Sequence, residues 1–291
     1  MAHAEHAADK YYIPHGSHWP VTGSIGLFGI MIGASMWLNG SGAGPVLLSI
    51  GFVILFVMLF GWFGQVIRES ESGTYNDDVD TSFRMGMGWF IFSEVMFFAA
   101  FFGTMFYARG ISIPWLGGDS NNFFTNSLLW ADYAASWPSN GPGNLGGAFE
   151  TMGAWGVPAI NTALLLTSGV TLTIAHHAIQ AGHRTTLNIF LAATFILGFI
   201  FMGFQVYEYM HAYQELNLKL TTGMYGTTFF MLTGFHGLHV TLGAIMLTVI
   251  WLRCLRGHFT PDKHFAFEAV AWYWHFVDVV WLFLFIFVYW L

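Results

Sequence analysis

Seven long apolar stretches, with Lys and Arg confined almost entirely to one set of the connections between them, constrain this chain more than any other feature. The stretches are 21–39, 45–67, 85–107, 158–181, 187–209, 228–252 and 270–291. A spanning helix needs about 20 mostly apolar residues. A barrel strand would show short alternating segments instead. The fold class predicted is therefore an all-α membrane protein with seven transmembrane helices in one domain. Only 9% of residues are charged, against about 25% in a soluble domain.

The basic residues set an orientation. With the N-terminus on one side, that side holds Lys10, Arg68, Arg84, Arg184, Arg253, Arg256 and Lys263, and the opposite side holds Arg109 and Lys219. The richer side is expected to be the cytoplasm, so the N-terminus lies inside and the C-terminus outside. No charged, then apolar, then small-residue pattern precedes 21–39, so no cleaved signal peptide is expected. Pro45 and Pro158 fall where a missing N–H costs little. Trp19, Trp37, Trp62, Trp251 and Trp290 lie near span ends, where amphipathic rings favour the headgroup level. Gly26, Gly29 and Gly33 recur at helical spacing in the first span and permit close helix packing. The connection 68–84 reads as an inner loop of mixed charge. The connection 110–157 is long for a link; its Gly, Asn, Ser and Pro fit a solvated loop, its Trp and Phe a surface touching a partner or the bilayer. A formal charge of −7 argues against nucleic acid as a partner. The single cysteine, Cys254, excludes an internal disulfide and a Cys-cluster metal site.

Polar groups inside the membrane are the places to look for function. Glu94 lies near the middle of 85–107 in Phe-Ile-Phe-Ser-Glu-Val-Met-Phe-Phe. Poorly solvated there, it favours the neutral acid and suits a proton relay or one fixed hydrogen bond. His236 and His239 stand three apart on 228–252 and share a helix face. They suit either metal or haem ligation or hydrogen bonding across helices, and with no further ligand at coordinated spacing the structural role leads. Glu268, Trp272, His275, Val279 and Leu282 form a stripe on the last span, and His275 and Asp278 can pair locally. His176 and His177 close the fourth span. Gln205 and Glu208, near the outer end of the fifth, are expected to snorkel into the interface. His3, His6, His15 and His18 belong to a polar tail. Arg68, Glu69, Arg253, Arg256, His258 and Lys263 gather on the inner side, as inside-positive charge or as a site for an anionic lipid headgroup. No phosphate loop, nucleophile elbow or dinucleotide fingerprint is present. These residues alone leave open a proton-coupled transporter using Glu94, His236 and His275, and a subunit of a larger complex; the absence of internal repeats weighs against the transporter.

Longer motifs carry a resemblance. The run 264–284, His-Phe-Ala-Phe-Glu-Ala-Val-Ala-Trp-Tyr-Trp-His-Phe-Val-Asp-Val-Val-Trp-Leu-Phe-Leu, resembles the closing segment of the cytochrome c oxidase subunit III family. So do Tyr-Gly-Thr-Thr-Phe-Phe-Met-Leu-Thr-Gly-Phe-His-Gly-Leu-His-Val (225–240), Val-Ile-Arg-Glu-Ser (66–70), the segment 90–98 around Glu94, and 158–177 with its closing Ala-His-His. The resemblance runs from Trp-Pro at 19–20 to the end. It implies two helices set apart from five by a V-shaped cleft that holds phospholipid. It implies no catalytic residue, no metal site and no haem or copper on this chain, with haem and copper in partner subunits. The implied partners are subunit I above all, then subunit II, small subunits and phospholipids, and the implied role is support of proton uptake and durability in the catalytic subunit. By resemblance Glu94 is the family's buried acid, and Arg68, Glu69, Arg253 and His258 line the lipid site, with Trp62 beside them; His236, His239, His275, Asp278 and Glu268, from their own places in the spans, make up an intramembrane polar network. A quinol oxidase or nitric oxide reductase would use an equivalent subunit. Two departures stand out. Phe63 occupies a position where mitochondrial forms carry a second Trp, and loop 110–157 is longer than theirs. That loop and the polar tail suggest a bacterial protein of the cytoplasmic membrane.

Overall fold

The computed structural model describes residues 11–13 and 16–290, so His3, His6, Lys10 and His15 lie outside the described residues. Those described are helical or irregular, with no strand among them. Seven helices are long and apolar enough to cross a membrane. In order they are α1 (Trp19–Leu38), α2 (Gly44–Glu71), α3 (Asp77–Tyr107), then after the short α4 (Ile113–Leu116) and α5 (Phe123–Leu129), α6 (Val157–Gln180), α7 (Arg184–Gln214), α8 (Gly223–Leu255) and α9 (Phe265–Leu284). The chain divides into two compact units, Met1–Met85 and Gly86–Leu291.

The first unit is an α1–α2 hairpin closed on glycine. A Cβ on Gly26 would stand 3.1 Å from the backbone nitrogen of Leu55, and one on Gly51 2.5 Å from that of Ile30. At Gly33 and Gly44 it would strike the backbone of Leu48 and Trp37 respectively. Positions ascend α1 as they descend α2, so the helices are antiparallel, and close approach is the reason for glycine at each. Larger side chains turn away from this seam: Phe28, Met31 and Phe60 are exposed. In a bilayer such outward faces meet lipid at no cost, and contact between helices depends on fit.

In the second unit α6, α7, α8 and α9 pack as successive neighbours, with α9 returning to α6. Helix α9 is the innermost. Trp274 is fully buried; its ring fills the space a Cβ would take at Gly198 of α7 and Gly243 of α8, and its indole N–H donates to Ser168 Oγ of α6 at 2.8 Å. Two turns on, Trp281 donates to Thr162 Oγ1 of α6 at 2.9 Å and packs edge-on to Phe201 of α7. Within this unit α3 lies against α8 and α9 through rings, Phe97 on Phe235 (centroids 4.9 Å) and Phe106 on Phe287 (5.5 Å).

The helices overrun the apolar stretches that announced them, because a stretch marks only the hydrocarbon layer while backbone hydrogen bonding carries the helix on into the interface. One sequence expectation changes as a result, and one open reading narrows. The inner loop expected over 68–84 shrinks to 72–76. Asp77, Asp78 and Asp80 occupy the first turn of α3, where carboxylates suit the helix dipole, and Asp80 receives the Arg84 side chain at 2.6 Å. The segment 110–157 is not a plain solvated loop. Its later half is fastened to the α7–α8 connection: Asn217 donates to the carbonyls of Gly146 and Ala148, Glu150 N–H to Leu216 O, and Trp137 and Phe149 pack on Tyr225. Phe124, Leu128 and Leu129 on α5 remain exposed.

Replacing Gly33 with Leu should break the α1–α2 seam and destabilise the protein by about 1–3 kcal/mol or more, since the new side chain meets backbone. Gly64→Ala, in the same hairpin but with only the Arg68 side chain nearby, should be tolerated. Thermal unfolding of the two variants in detergent compares them directly; equal transitions would remove the glycine seam as the basis of the hairpin.

Candidate functional site

Glu94 and His239 meet. The Glu94 carboxyl of α3 lies 2.9 Å from Nε2 of His239 on α8, and Nδ1 of the same ring lies 2.6 Å from the Phe235 carbonyl. A carbonyl only accepts, so Nδ1 carries a proton. The pair then holds one further proton between Glu94 and Nε2, as a neutral acid donating to a neutral ring or as a carboxylate accepting from an imidazolium. Phe98 lies edge-on to the ring and Tyr273 of α9 stacks at 6.4 Å. About a fifth of the Glu94 side chain stays accessible, so three helices converge on a proton that still reaches the surface of this chain.

The shared face of His236 and His239 divides between two partners. His239 turns to α3, whereas His236, fully buried, donates Nε2–H to the Val277 carbonyl of α9 at 3.3 Å and lies against Trp281. On α9, His275 and Asp278 stand 3.7 Å apart, too long for a hydrogen bond, and Asp278 instead points at Gly169 of α6, where a Cβ would come within 2.6 Å. Glu268 is brought not to His275 but to His264, 3.1 Å away, and to His176, 3.8 Å away.

Gln205 and Glu208 correct the sequence expectation. They do not snorkel; both are buried, and Glu208 accepts a 2.5 Å hydrogen bond from the Tyr289 hydroxyl. That hydroxyl sits in the π-helical turns Phe285–Trp290 that extend α9. The signal was available: Leu187, Leu191, Thr194, Gly198, Phe201, Gln205, Glu208 and Ala212 all lie on the inward stripe of α7 at alternating three- and four-residue steps. Trp251 also turns inward, donating to the Asn188 carbonyl of α7 at 3.1 Å.

The lipid-facing candidates fall in both units. In the first, Trp62 is exposed and stacks beside Phe63. Neighbouring Glu69 is engaged by its own chain: Trp19 Nε1–H donates to Gln65, Gln65 donates to Glu69 Oε1 at 2.8 Å, and Tyr75 donates to Glu69 Oε2 at 2.7 Å. Burial, then the Glu69 carboxylate, hold the Tyr75 phenol above its ordinary pKa, so it remains a donor across the physiological range. The Arg68 guanidinium is next in sequence. In the second unit the Arg253 guanidinium lies 4.4 Å over the Phe259 ring, and Arg184 donates to the Phe259 carbonyl at 2.6 Å. His258 adjoins Phe259. Arg184, counted in the sequence only as inside-positive charge, thus belongs to the same cluster.

Comparison with known proteins gives one result over the full length. The family model described as cytochrome c oxidase subunit III matches residues 9–121 and 109–291. Proteins named cytochrome c oxidase subunit 3 from Formosania lacustris and Oryctolagus cuniculus are 40% and 39% identical over 100% of this chain and 99% of their own. The protein of that name from Marchantia polymorpha is 41% identical over 96% of each chain.

Tyr289→Phe should leave the Glu208 acid without its donor and cost about 1–2 kcal/mol of stability. Tyr207→Phe, whose ring is exposed, should cost nothing measurable. Unfolding of the two variants in detergent reads the difference, and equal stability would place Glu208 in contact with water or lipid.

Proposed function

The chain belongs to the cytochrome c oxidase subunit III family, and from that premise we propose that it is a non-redox accessory subunit of the oxidase, holding phospholipid and assisting proton uptake by the catalytic subunit. The family places it within an oxidoreductase complex of the respiratory chain, and its seven spans make it an integral membrane protein. The observation that carries the proposal is the Glu94–His239 pair. It offers a proton two places to sit, between α3 and α8 near the middle of an apolar span, with the acid partly accessible. Such a group can pass or buffer a proton for a neighbour without touching any electron carrier.

In this reading subunit I, with its haem and copper, is the main partner, and subunit II and small subunits complete the assembly. Arg68, Trp62, Arg253 and His258 contribute contacts to phospholipid, positively charged groups meeting phosphate and Trp62 meeting acyl chain. Glu69, its oxygens occupied, positions the end of α2 beside Arg68. The distribution of Lys and Arg supports an N-terminus on the inner side and a C-terminus on the outer side. The polar tail and the long 110–157 segment support a bacterial cytoplasmic membrane.

Glu94→Gln should leave assembly intact and initial oxygen reduction unchanged, because the amide keeps the size and still donates to His239 Nε2. Immediate and complete loss of electron transfer in that variant would assign Glu94 a different role. Arg253→Ala should release bound phospholipid, while Arg253→Lys should retain it. Lipid analysis of the purified complexes reads both, and unchanged lipid in Arg253→Ala refutes the headgroup contact.

A further inference from the structure

We propose that His176, His264 and Glu268 form a binding site for a divalent transition-metal ion of the Zn2+ class, fastening the C-terminal end of α6 to the N-terminal end of α9. One ligand atom from each lies within 4.8 Å of the other two. Glu268 Oε1 stands 3.1 Å from His264 Nε2 and 3.8 Å from His176 Nε2. Zinc bonds of about 2.0–2.1 Å at tetrahedral angles put neighbouring ligand atoms about 3.3 Å apart, so small rotations of these side chains close the set.

The tautomer of His264 carries the argument. Its Nδ1 lies 3.1 Å from the Thr260 carbonyl, which only accepts, so Nδ1 bears the proton. In the neutral ring Nε2 then presents a lone pair. That nitrogen is buried, makes no hydrogen bond, and faces a carboxylate oxygen 3.1 Å away. Two lone pairs held at that distance need a proton, on the ring or on the acid, or a metal between them. The Nδ1–H to carbonyl contact is the outer-shell arrangement that orients metal-bound histidines. The second imidazole, His176, is angled 70° to the first, and the Gln180 amide, 3.4 Å from His176 Nε2, yields that lone pair to a metal. Two imidazoles with one carboxylate select Zn2+ and its neighbours over Mg2+ or Ca2+, which take oxygen ligands. Three protein ligands leave a fourth position for water.

The test uses the whole oxidase purified in mild detergent, stripped with chelator, incubated with Zn2+ alone and desalted. Elemental analysis should find one Zn2+ fewer per complex in His264→Asn and in Glu268→Gln than in the unaltered complex, with subunit content and haem spectrum unchanged. Equal Zn2+ in all three overturns the site. A second measurement needs no variant: Zn2+ should protect His176 of the unaltered chain from diethyl pyrocarbonate, mapped by peptide mass spectrometry. Equal modification with and without Zn2+ overturns the proposal and leaves a proton between the two groups.

Discussion

Lipid gives apolar side chains no reason to leave it, so these helices are held by fit and by hydrogen bonds that have no better partner. Trp274 shows how much one residue can carry under that constraint. Its ring occupies the space a Cβ would fill on α7 and on α8, and its only polar atom reaches a hydroxyl on α6. Trp281 repeats the device two turns later. Each is a large rigid surface in a socket made by glycine or by other rings, and each finishes with a bond worth little in water but without a competing solvent here. The α1–α2 hairpin solves the same problem oppositely, by removing side chains until the backbones touch.

Against this background, the polar residues divide by how they are satisfied. Glu208 is buried, and one short bond from Tyr289 ties the extension of α9 to α7. Glu94 is arranged otherwise. Its partner His239 has the other nitrogen committed to a backbone carbonyl, so the shared proton has two places to sit and an accessible side from which to leave. Two acids in one bundle are thus held differently, one by a fixed clasp and one in a pair that shares a proton, and the difference lies in the partner's second hydrogen bond.

Seven spans, the position of Glu94 and the small-residue seam of α1 were all legible in the sequence, because hydropathy and helical spacing are local properties. The direction a helix face takes was less so. Distance from the span end alone puts Glu208 at the interface, whereas the stripe that runs from Leu187 through Gly198 to Ala212 points it inward. His236 and His239 share a face by spacing, yet a face broad enough for two rings meets two different helices. Glu268 reads naturally as a member of its own helix stripe. Its partner His264 stands four residues back at the cap of the same helix, but His176 comes from another helix, and no periodicity along the chain connects it.

That last gap bears on what joins the C-terminal end of α6 to the N-terminal end of α9. The indoles of Trp274 and Trp281 grip α6 over its middle and its beginning, where hydrocarbon protects their hydrogen bonds. At the other end of α6, near His176, water competes for any bond between neutral groups, and a contact there must be stronger to be worth as much. A charged or metal-bridged cluster of imidazoles and a carboxylate meets that requirement. The change of chemistry along the α6–α9 contact, from indole–hydroxyl bonds to the His176–His264–Glu268 group, follows the change of solvent along the same line.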